Sequence, residues 1–372
     1  MAVIESARLK ERPVQVRYWG TPVVVYRERS GRVRALDDRC AHRGVRLSKG
    51  TVLGDRIRCD FHRFVYDGHG RCVEIPEEFG AGADLRERCS VRRYFAREAV
   101  GLVWVSVEDV PDAPFPVEPD LLPDDHFVGA GRFHVTGDIR VWMDHFLDIP
   151  HCLWAHAETA YWGMSSAPAT LADKEIRIRP DSTYPIRPAV RMRFHVQRHR
   201  PVRYDPKMTV LSLLDITREK LRPSRRGTAS YFTIQANLVT PLCQEGITHL
   251  GLSKQVVRYW IAINPIAENR SVFYWAAVIP WHGDGPLRRL AKRRVLADFA
   301  ERHLGREDGL YLEDAPFVDG DDFVETELDA TVHAMRTIFT DYQRRKAHLY
   351  APGSLMRSLD YRHRRPDGLD GA

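Results

Sequence analysis

Long hydrophobic runs are missing from this chain of 372 residues. No stretch stays apolar for the length a membrane helix needs, and the opening Met-Ala-Val-Ile-Glu-Ser-Ala-Arg lacks the apolar core of a secretion signal. A soluble, cytoplasmic protein with no membrane partner is the expectation. Cysteine is scarce too: of six, Cys72, Cys89, Cys152 and Cys243 follow no framework spacing, which argues against a disulfide-stapled secreted fold and for free thiols in a reducing compartment. Lysine is scarcer still, since only 8 of the 56 basic residues are lysine and 48 are arginine. Although the net charge is +6, the arginines are interspersed with acids rather than gathered in a run, so no nucleic-acid partner is expected. A modest basic face is still able to steer an acidic partner protein. The chain also has no glycine fingerprint for a nicotinamide cofactor, no internal repeat and no low-complexity block.

What is present is a tight pattern of thiols and imidazoles: Cys40-Ala-His42, sixteen residues, then Cys59-Asp-Phe-His62. Two thiolates can hold one iron of a 2Fe-2S cluster while two histidines hold the other, and the neutral imidazoles raise the reduction potential above that of an all-cysteine cluster. The same four groups also satisfy a tetrahedral zinc shell, although zinc knuckles usually space both halves as short hairpins. The flanking residues favour the cluster. Arg43-Gly44 follows the first pair, and Tyr66-Asp67-Gly68-His69-Gly70 follows the second, where a glycine turn closes the second loop. In this pattern the chain resembles the Rieske non-haem iron oxygenases. It departs from them at Ala41, where proline is common, and at Arg63-Phe64, where Gly-Trp is common. Respiratory-type Rieske carriers have an extra cysteine in each loop, joined as a disulfide; Val45 and Phe61 stand in those places here.

From Val14 to Val107 the chain reads as short β runs broken by glycine and charge: Pro22–Tyr26, Arg32–Leu36, Arg56–Cys59, Phe64–Tyr66 and Gly101–Val107. This predicts a small antiparallel β domain over 1–115 with the cluster loops at one tip. The proline-rich stretch from Pro111 to Pro119 then acts as an extended connector. A second domain is expected over 116–356. Residues 140–160 read as helical, runs at 173–179, 189–198, 208–216, 229–239, 254–264 and 271–281 read as one antiparallel sheet, and helices are expected over 286–304 and 328–348. The fold class is therefore α+β, with a ligand space between sheet and helices. Residues 357–372 are charged and glycine-bearing and read as a flexible tail.

The second domain carries another metal pattern in Asp148-Ile-Pro-His151-Cys-Leu-Trp-Ala-His156. Two histidines and one carboxylate on one face of an iron form the facial triad of non-haem Fe(II) oxygenases, which leaves positions open for oxygen. Residues five apart lie about 140° apart on an ideal helix, so a local irregularity at Pro150 is needed to bring His151 and His156 together. The third ligand must come from downstream, where Asp308, Asp314, Asp321 and Asp322 are candidates. Asp308 is preferred, because Glu307-Asp308-Gly-Leu-Tyr-Leu-Glu313 resembles the family's acidic pattern. The iron stretch is similar to that of the vanillate demethylase and aminopyrrolnitrin oxygenase type, with His145 in place of an asparagine, which puts a third imidazole near the metal as a spare ligand, a proton donor or a packing residue.

The resemblance, which spans the whole chain apart from its ends, implies a helix-grip-like catalytic domain behind the Rieske domain. It also implies a terminal oxygenase that takes electrons from a separate ferredoxin or flavin reductase and inserts oxygen from O₂ into a small organic substrate. Abundant aromatic residues suit an aromatic or polycyclic substrate, and Phe146, Leu147, Trp154, Tyr231, Asn237, Trp260 and Trp275 are the pocket candidates. In the family an aspartate at the place of Asp148 bridges the metal histidine to the cluster of a neighbouring subunit in a head-to-tail homotrimer. The rival reading is a Rieske electron carrier or redox sensor that inserts no oxygen.

Overall fold

A computed structural model describes residues 1–80, 82–108, 126–145, 148 and 151. It resumes with the strands between 169 and 280, leaving out 181–187, 199–229, 241–242 and 251–254, and adds scattered positions from 286 to 306, then 308–318 and 329–361. The chain divides into two compact units. The first holds 1–113 together with 264–268 and 346–358, and the second holds the remainder. The two later segments were expected in the second domain. They group with the first because Asn264, 1% exposed, donates from Nδ2 to the carbonyl of Arg17, and Tyr350 stacks on Tyr18 with ring centroids 5.8 Å apart.

Ten strands build the first unit: β1 (Ala2–Glu5), β2 (Val14–Tyr18), β3 (Thr21–Arg27), β4 (Val33–Asp37), β5 (Thr51–Leu53), β6 (Arg56–Arg58), β7 (Val65–Asp67), β8 (Cys72–Glu74), β9 (Arg93–Ala99) and β10 (Leu102–Ser106). A short helix, α1 (Ala83–Arg88), lies between β8 and β9. Six strands pair in the order β1-β10-β9-β4-β3-β2, and a separate meander of four runs β5-β6-β7-β8. The meander is what positions the cluster residues, since one loop leads from β4 into it and the other joins β6 to β7. Val24, Tyr26, Leu36, Leu47, Ile57, Phe64 and Tyr66 form one core beneath both loops. Such side chains contribute about 1.5–3 kcal/mol each when fully buried, enough to fix two otherwise irregular loops.

Among the described residues, the second unit contains one antiparallel sheet of seven strands: β11 (His126–Thr136), β12 (Ala169–Pro180), β13 (Pro188–Arg198), β14 (Ser230–Thr240), β15 (Cys243–Leu250), β16 (Gln255–Ala267) and β17 (Arg270–Pro280). Their order is β11-β17-β16-β15-β14-β13-β12. Five of the six expected runs fall on strands; the run at 208–216 and the proline-rich connector lie outside the described residues. Two strands carried no clear sequence signal. In β11, Gly129 and Gly131 dilute the β-branched pattern, and Gly131 is there for a packing reason: a Cβ on it would stand 2.7 Å from the ring of Trp275, its cross-strand partner. In β15, Gln244, Glu245 and Gly246 hide the alternation. Along β17 every residue from Ser271 to Val278 is buried, so this strand is covered on both faces.

The described helices of the second unit are α2 (Ile139–His145), α3 (Asp308–Leu312) and α4 (Ala330–Lys346), and α5 (Leu355–Ser358) belongs to the first. Within the expected 286–304 helix, Pro286, Leu290 and Ala300 are helical. No described helix is long and apolar enough to cross a membrane. The expected tail begins too early, because Tyr361 is completely buried and its hydroxyl donates to the carboxylate of Asp144.

Candidate functional site

The two cluster loops are local repeats of each other. The amide of Cys40 donates to the carbonyl of Val45 at 2.8 Å and that of Gly44 to the carbonyl of Cys40 at 2.8 Å. In the second loop Cys59 donates to Phe64 at 2.8 Å and Arg63 to Cys59 at 2.9 Å. Both turns end in a left-handed residue, Gly44 at φ 71° and Arg63 at φ 64°. Glycine takes that conformation without a Cβ penalty, whereas arginine is disfavoured by about 1–2 kcal/mol. The departure from the family's glycine therefore carries a conformational cost at an exposed position. Arg63→Gly is expected to raise stability by about 1 kcal/mol in a denaturant titration, with the reduced-state spectrum unchanged.

These turns bring four donor groups together. The Cys40 and Cys59 sulfurs are buried and share a thiol proton: the hydrogen bond from Cys59 favours thiolate on Cys40, and the same contact pushes Cys59 up. The Tyr66 hydroxyl lies 3.1 Å from the Cys40 Sγ, and the amides of His42 and Arg43 face the same sulfur. On the other loop the amides of Phe61 and His62 favour thiolate on Cys59. The rings of His42 and His62 sit 4.5 Å apart, with His42 stacked on Phe64 and both edged by Phe79. The Nδ1 of His42 is buried and has no hydrogen-bond partner. An orphaned imidazole nitrogen beside two sulfurs ringed by amide donors fits a metal cluster with two thiolate and two imidazole ligands. Behind the site, Gly70 at φ 80° closes the β7–β8 hairpin, where a Cβ would meet the carbonyl of Val91 at 2.2 Å.

Tyr66 has a specific electronic consequence. A hydroxyl donating to a cluster sulfur stabilises the more negative, reduced state over the oxidised one. Tyr66→Phe should lower the reduction potential by about 40 mV, on the order of 1 kcal/mol for one electron, as measured by spectroelectrochemistry.

A second constellation stands in the other unit. His145 at the end of α2, His151 just beyond it and Asp308 at the start of α3 place one ligand atom each within 4.8 Å of one another. The Nε2 of His145 is 2.9 Å from Oδ2 of Asp308, and the Nε2 of His151 is 4.0 Å from Oδ1. The imidazole centroids are 4.1 Å apart. Asp308 is 1% exposed, a desolvation that a carboxylate sustains beside cations, donors or a metal. The approach of the two elements depends on Gly137, since a Cβ there would lie 2.8 Å from the carbonyls of Leu312 and Glu313. α2 ends at His145, and the amide of Asp148 then bonds back to the carbonyl of His145 at 3.2 Å. That i→i+3 hydrogen bond ties Asp148, three residues before His151, to the last described residue of α2.

The structure brings His151 and Asp308 together, while His156 lies outside the described residues. Asp314 is exposed, and Asp321 and Asp322 are outside the described residues. His145, which the ligand set read from sequence did not include, is part of the group; the signal was its departure from the motif that the stretch resembles. Asp148 is half-buried. Its carbonyl contacts His151 Nδ1, its Oδ1 accepts from the His151 amide at 3.3 Å, and its Oδ2 lies 3.7 Å from Nδ1. Burial raises its pKa, opposed by the neighbouring His145. Of the pocket candidates, Trp260 and Trp275 are buried, whereas Phe146, Leu147 and Trp154 lie outside the described residues.

α2 is anchored from behind. Asp144 accepts from Nε of Arg336 at 3.0 Å and also from Nη2 of Arg336 and the Tyr361 hydroxyl; Arg336, 1% exposed, further reaches the carbonyl of Val318 at 3.1 Å. Burial pushes the Tyr361 phenol well up, so it stays a donor. Removing one partner of a buried pair leaves the other uncompensated. Arg336→Met is expected to cost about 3–5 kcal/mol of stability in the second unit, read by calorimetry, with the cluster spectrum retained.

Comparison with known proteins agrees with this geometry. Residues 1–82 match the family model of the Rieske [2Fe-2S] domain. The chain is 38% identical over 120 residues to the 4beta-methylsterol monooxygenase of Methylococcus capsulatus, covering 31% of this chain and 32% of that one. It is 29% identical over 168 residues to the vanillate O-demethylase oxygenase subunit of a Pseudomonas species, covering 43% and 45%. The matched stretches thus span less than half the length of these relatives. Among solved structures, NdmA of Pseudomonas putida CBB5 with caffeine superposes with TM-score 0.65 at 17% identity, covering 96% of this chain and 93% of that one. Residues 1–82 therefore belong to the Rieske [2Fe-2S] family, and the chain around them has the fold of the Rieske non-haem iron oxygenases.

Proposed function

We propose that this chain is the terminal oxygenase of a multicomponent system, receiving electrons at its Rieske centre and inserting an oxygen atom from O₂ into a small aromatic or polycyclic molecule. The observation that carries this reading is the presence, in one chain, of the Cys40-His42-Cys59-His62 site and the His145-His151-Asp308 group with its buried carboxylate. When bound, the cluster supplies single electrons and a ferrous ion supplies oxygen activation. Cys40, His42, Cys59 and His62 hold the first; His151 and Asp308, with His156, hold the second. Asp148 orients His151 and links it to the cluster of an adjacent subunit in a homotrimer. Buried rings such as Trp260 supply apolar walls that keep water from the reacting carbon.

The relatives named as monooxygenase and O-demethylase favour single-atom insertion or demethylation over ring dihydroxylation. With no nicotinamide fingerprint in the sequence, a separate ferredoxin or flavin reductase is the electron donor, and a cytoplasmic location supplies it. The test is O₂ uptake by the purified chain with a ferredoxin, its reductase and NADH, across a panel of methylsterols, methoxybenzoates and N-methylated heterocycles. Substrate-dependent uptake with ¹⁸O from O₂ in the product is expected. Reversible cluster reduction with no uptake on any substrate would make the chain an electron carrier or redox sensor instead.

A further inference from the structure

We propose that His145 is itself a ligand of the mononuclear metal, so that this chain's site contains one more imidazole than the two-histidine, one-carboxylate set. The proposal rests on the oxygenase reading above and deepens it. His145 is not a surface histidine that happens to lie nearby: its side chain is 10% exposed, it ends α2, and the edge of the buried Trp142 ring packs against it at 6.1 Å. Trp142 is in turn fixed by its Nε1 hydrogen bond to the carbonyl of Thr136 at 2.7 Å, so the imidazole is held by packing rather than by chance.

The geometry separates a ligand from a simple hydrogen-bond partner. A histidine that only oriented Asp308 would account for the 2.9 Å contact between Nε2 and Oδ2. It would not account for His151 Nε2 facing the other oxygen of the same carboxylate at 4.0 Å, beyond a hydrogen bond, with the two imidazoles side by side at 4.1 Å. Both rings direct the same nitrogen, Nε2, at the two oxygens of one buried carboxylate. First-row ions hold imidazole nitrogen and carboxylate oxygen at about 2.0–2.2 Å, so ligand atoms of one ion lie roughly 3–4 Å apart. The two nitrogen–oxygen distances here are 2.9 and 4.0 Å, and all three ligand atoms lie within 4.8 Å of one another. The hydrogen bond from the Asp148 amide to the His145 carbonyl and the glycine at 137 help bring His145, His151 and Asp308 to one point, whereas an asparagine at 145 would put a weaker amide ligand there.

The experiment uses the full chain with its cluster intact. Mononuclear metal is removed with a chelator, and Fe(II) or Co(II) is returned to the wild type and to His145→Asn, His145→Gln and His151→Ala. Affinity is read by chelator competition, and imidazole nitrogens are counted by X-ray absorption at the cobalt edge, which the cluster does not obscure. The expected result is that both His145 variants bind about 10- to 100-fold more weakly and lose one imidazole from the count, while the Rieske EPR signal and thermal midpoint are retained. Unchanged affinity and count in either folded His145 variant, alongside loss in His151→Ala, would overturn the His145 assignment and leave the oxygenase reading intact. A wild type that takes up no metal beyond the cluster would overturn both. Should neither variant fold, the wild-type cobalt count decides alone: three imidazoles, from His145, His151 and His156, are expected, and a count of two would overturn the His145 assignment.

Discussion

Asp308→Ala is expected to empty the second metal site and abolish oxygen insertion while the reduced chain keeps its Rieske EPR signal. Asp308 is the only charged ligand candidate among the described residues of the group, and it is 1% exposed. Its removal subtracts a full negative charge from a desolvated position, where the attraction to a divalent cation is least screened. Affinity for ferrous iron should fall by at least about 100-fold, and turnover should fall with it. His151→Ala should behave alike, and so should His156→Ala. The cluster signal survives because Cys40, His42, Cys59 and His62 stand on a core of their own. If Asp308→Ala retains iron and turnover while Asp314→Ala loses both, the carboxylate has been misassigned.

The second large effect is expected from Asp148→Asn, in electron delivery rather than in metal content. Two roles are available to this aspartate. Its Oδ1 accepts from the His151 amide at 3.3 Å, a capping contact worth about 1 kcal/mol. Its Oδ2, 3.7 Å from His151 Nδ1, is the group that would carry the link to a cluster on a neighbouring subunit. Asparagine preserves the shape and one acceptor oxygen, so the capping contact survives, but it removes the charge. If the link matters, the variant keeps both metals and its oligomeric state, its cluster reduces normally, and single-turnover reoxidation by O₂ and substrate slows about 100-fold. Near-normal reoxidation in the variant, or an active monomer, would contradict the inter-subunit route.

Much of this was legible in the chain. The cluster ligands are close in sequence because two short loops supply them, and short-range spacing survives as a readable pattern. Asp308 was chosen from an acid-rich stretch by local resemblance, and among the described residues of that stretch it is the carboxylate that lies with His151. His145 was harder, because six residues separate it from His151 and an ideal helix would point the two about 120° apart. What brings them together among the described residues is the backbone and side-chain contacts of Asp148, which no local pattern announces. β11 and β15 were hidden for another reason: glycines and polar residues satisfy a strand's hydrogen bonds as well as valine does, and the need for Gly131 appears only once Trp275 lies over it. Tyr361 was assigned to a frayed tail because no local pattern tells that a distant Asp144 and Arg336 wait for its hydroxyl.

The central claim is that one chain carries both a Rieske cluster and a separate mononuclear iron. The most direct measurement is the metal and acid-labile sulfide content of the purified, iron-reconstituted protein, taken together with its reduced-state EPR spectrum. The account predicts three irons and two sulfides per chain, a brown protein and a rhombic signal typical of histidine-ligated 2Fe-2S. Two irons and two sulfides with the same signal would contradict the oxygenase assignment and leave a carrier, and colourless protein containing zinc would contradict the cluster itself.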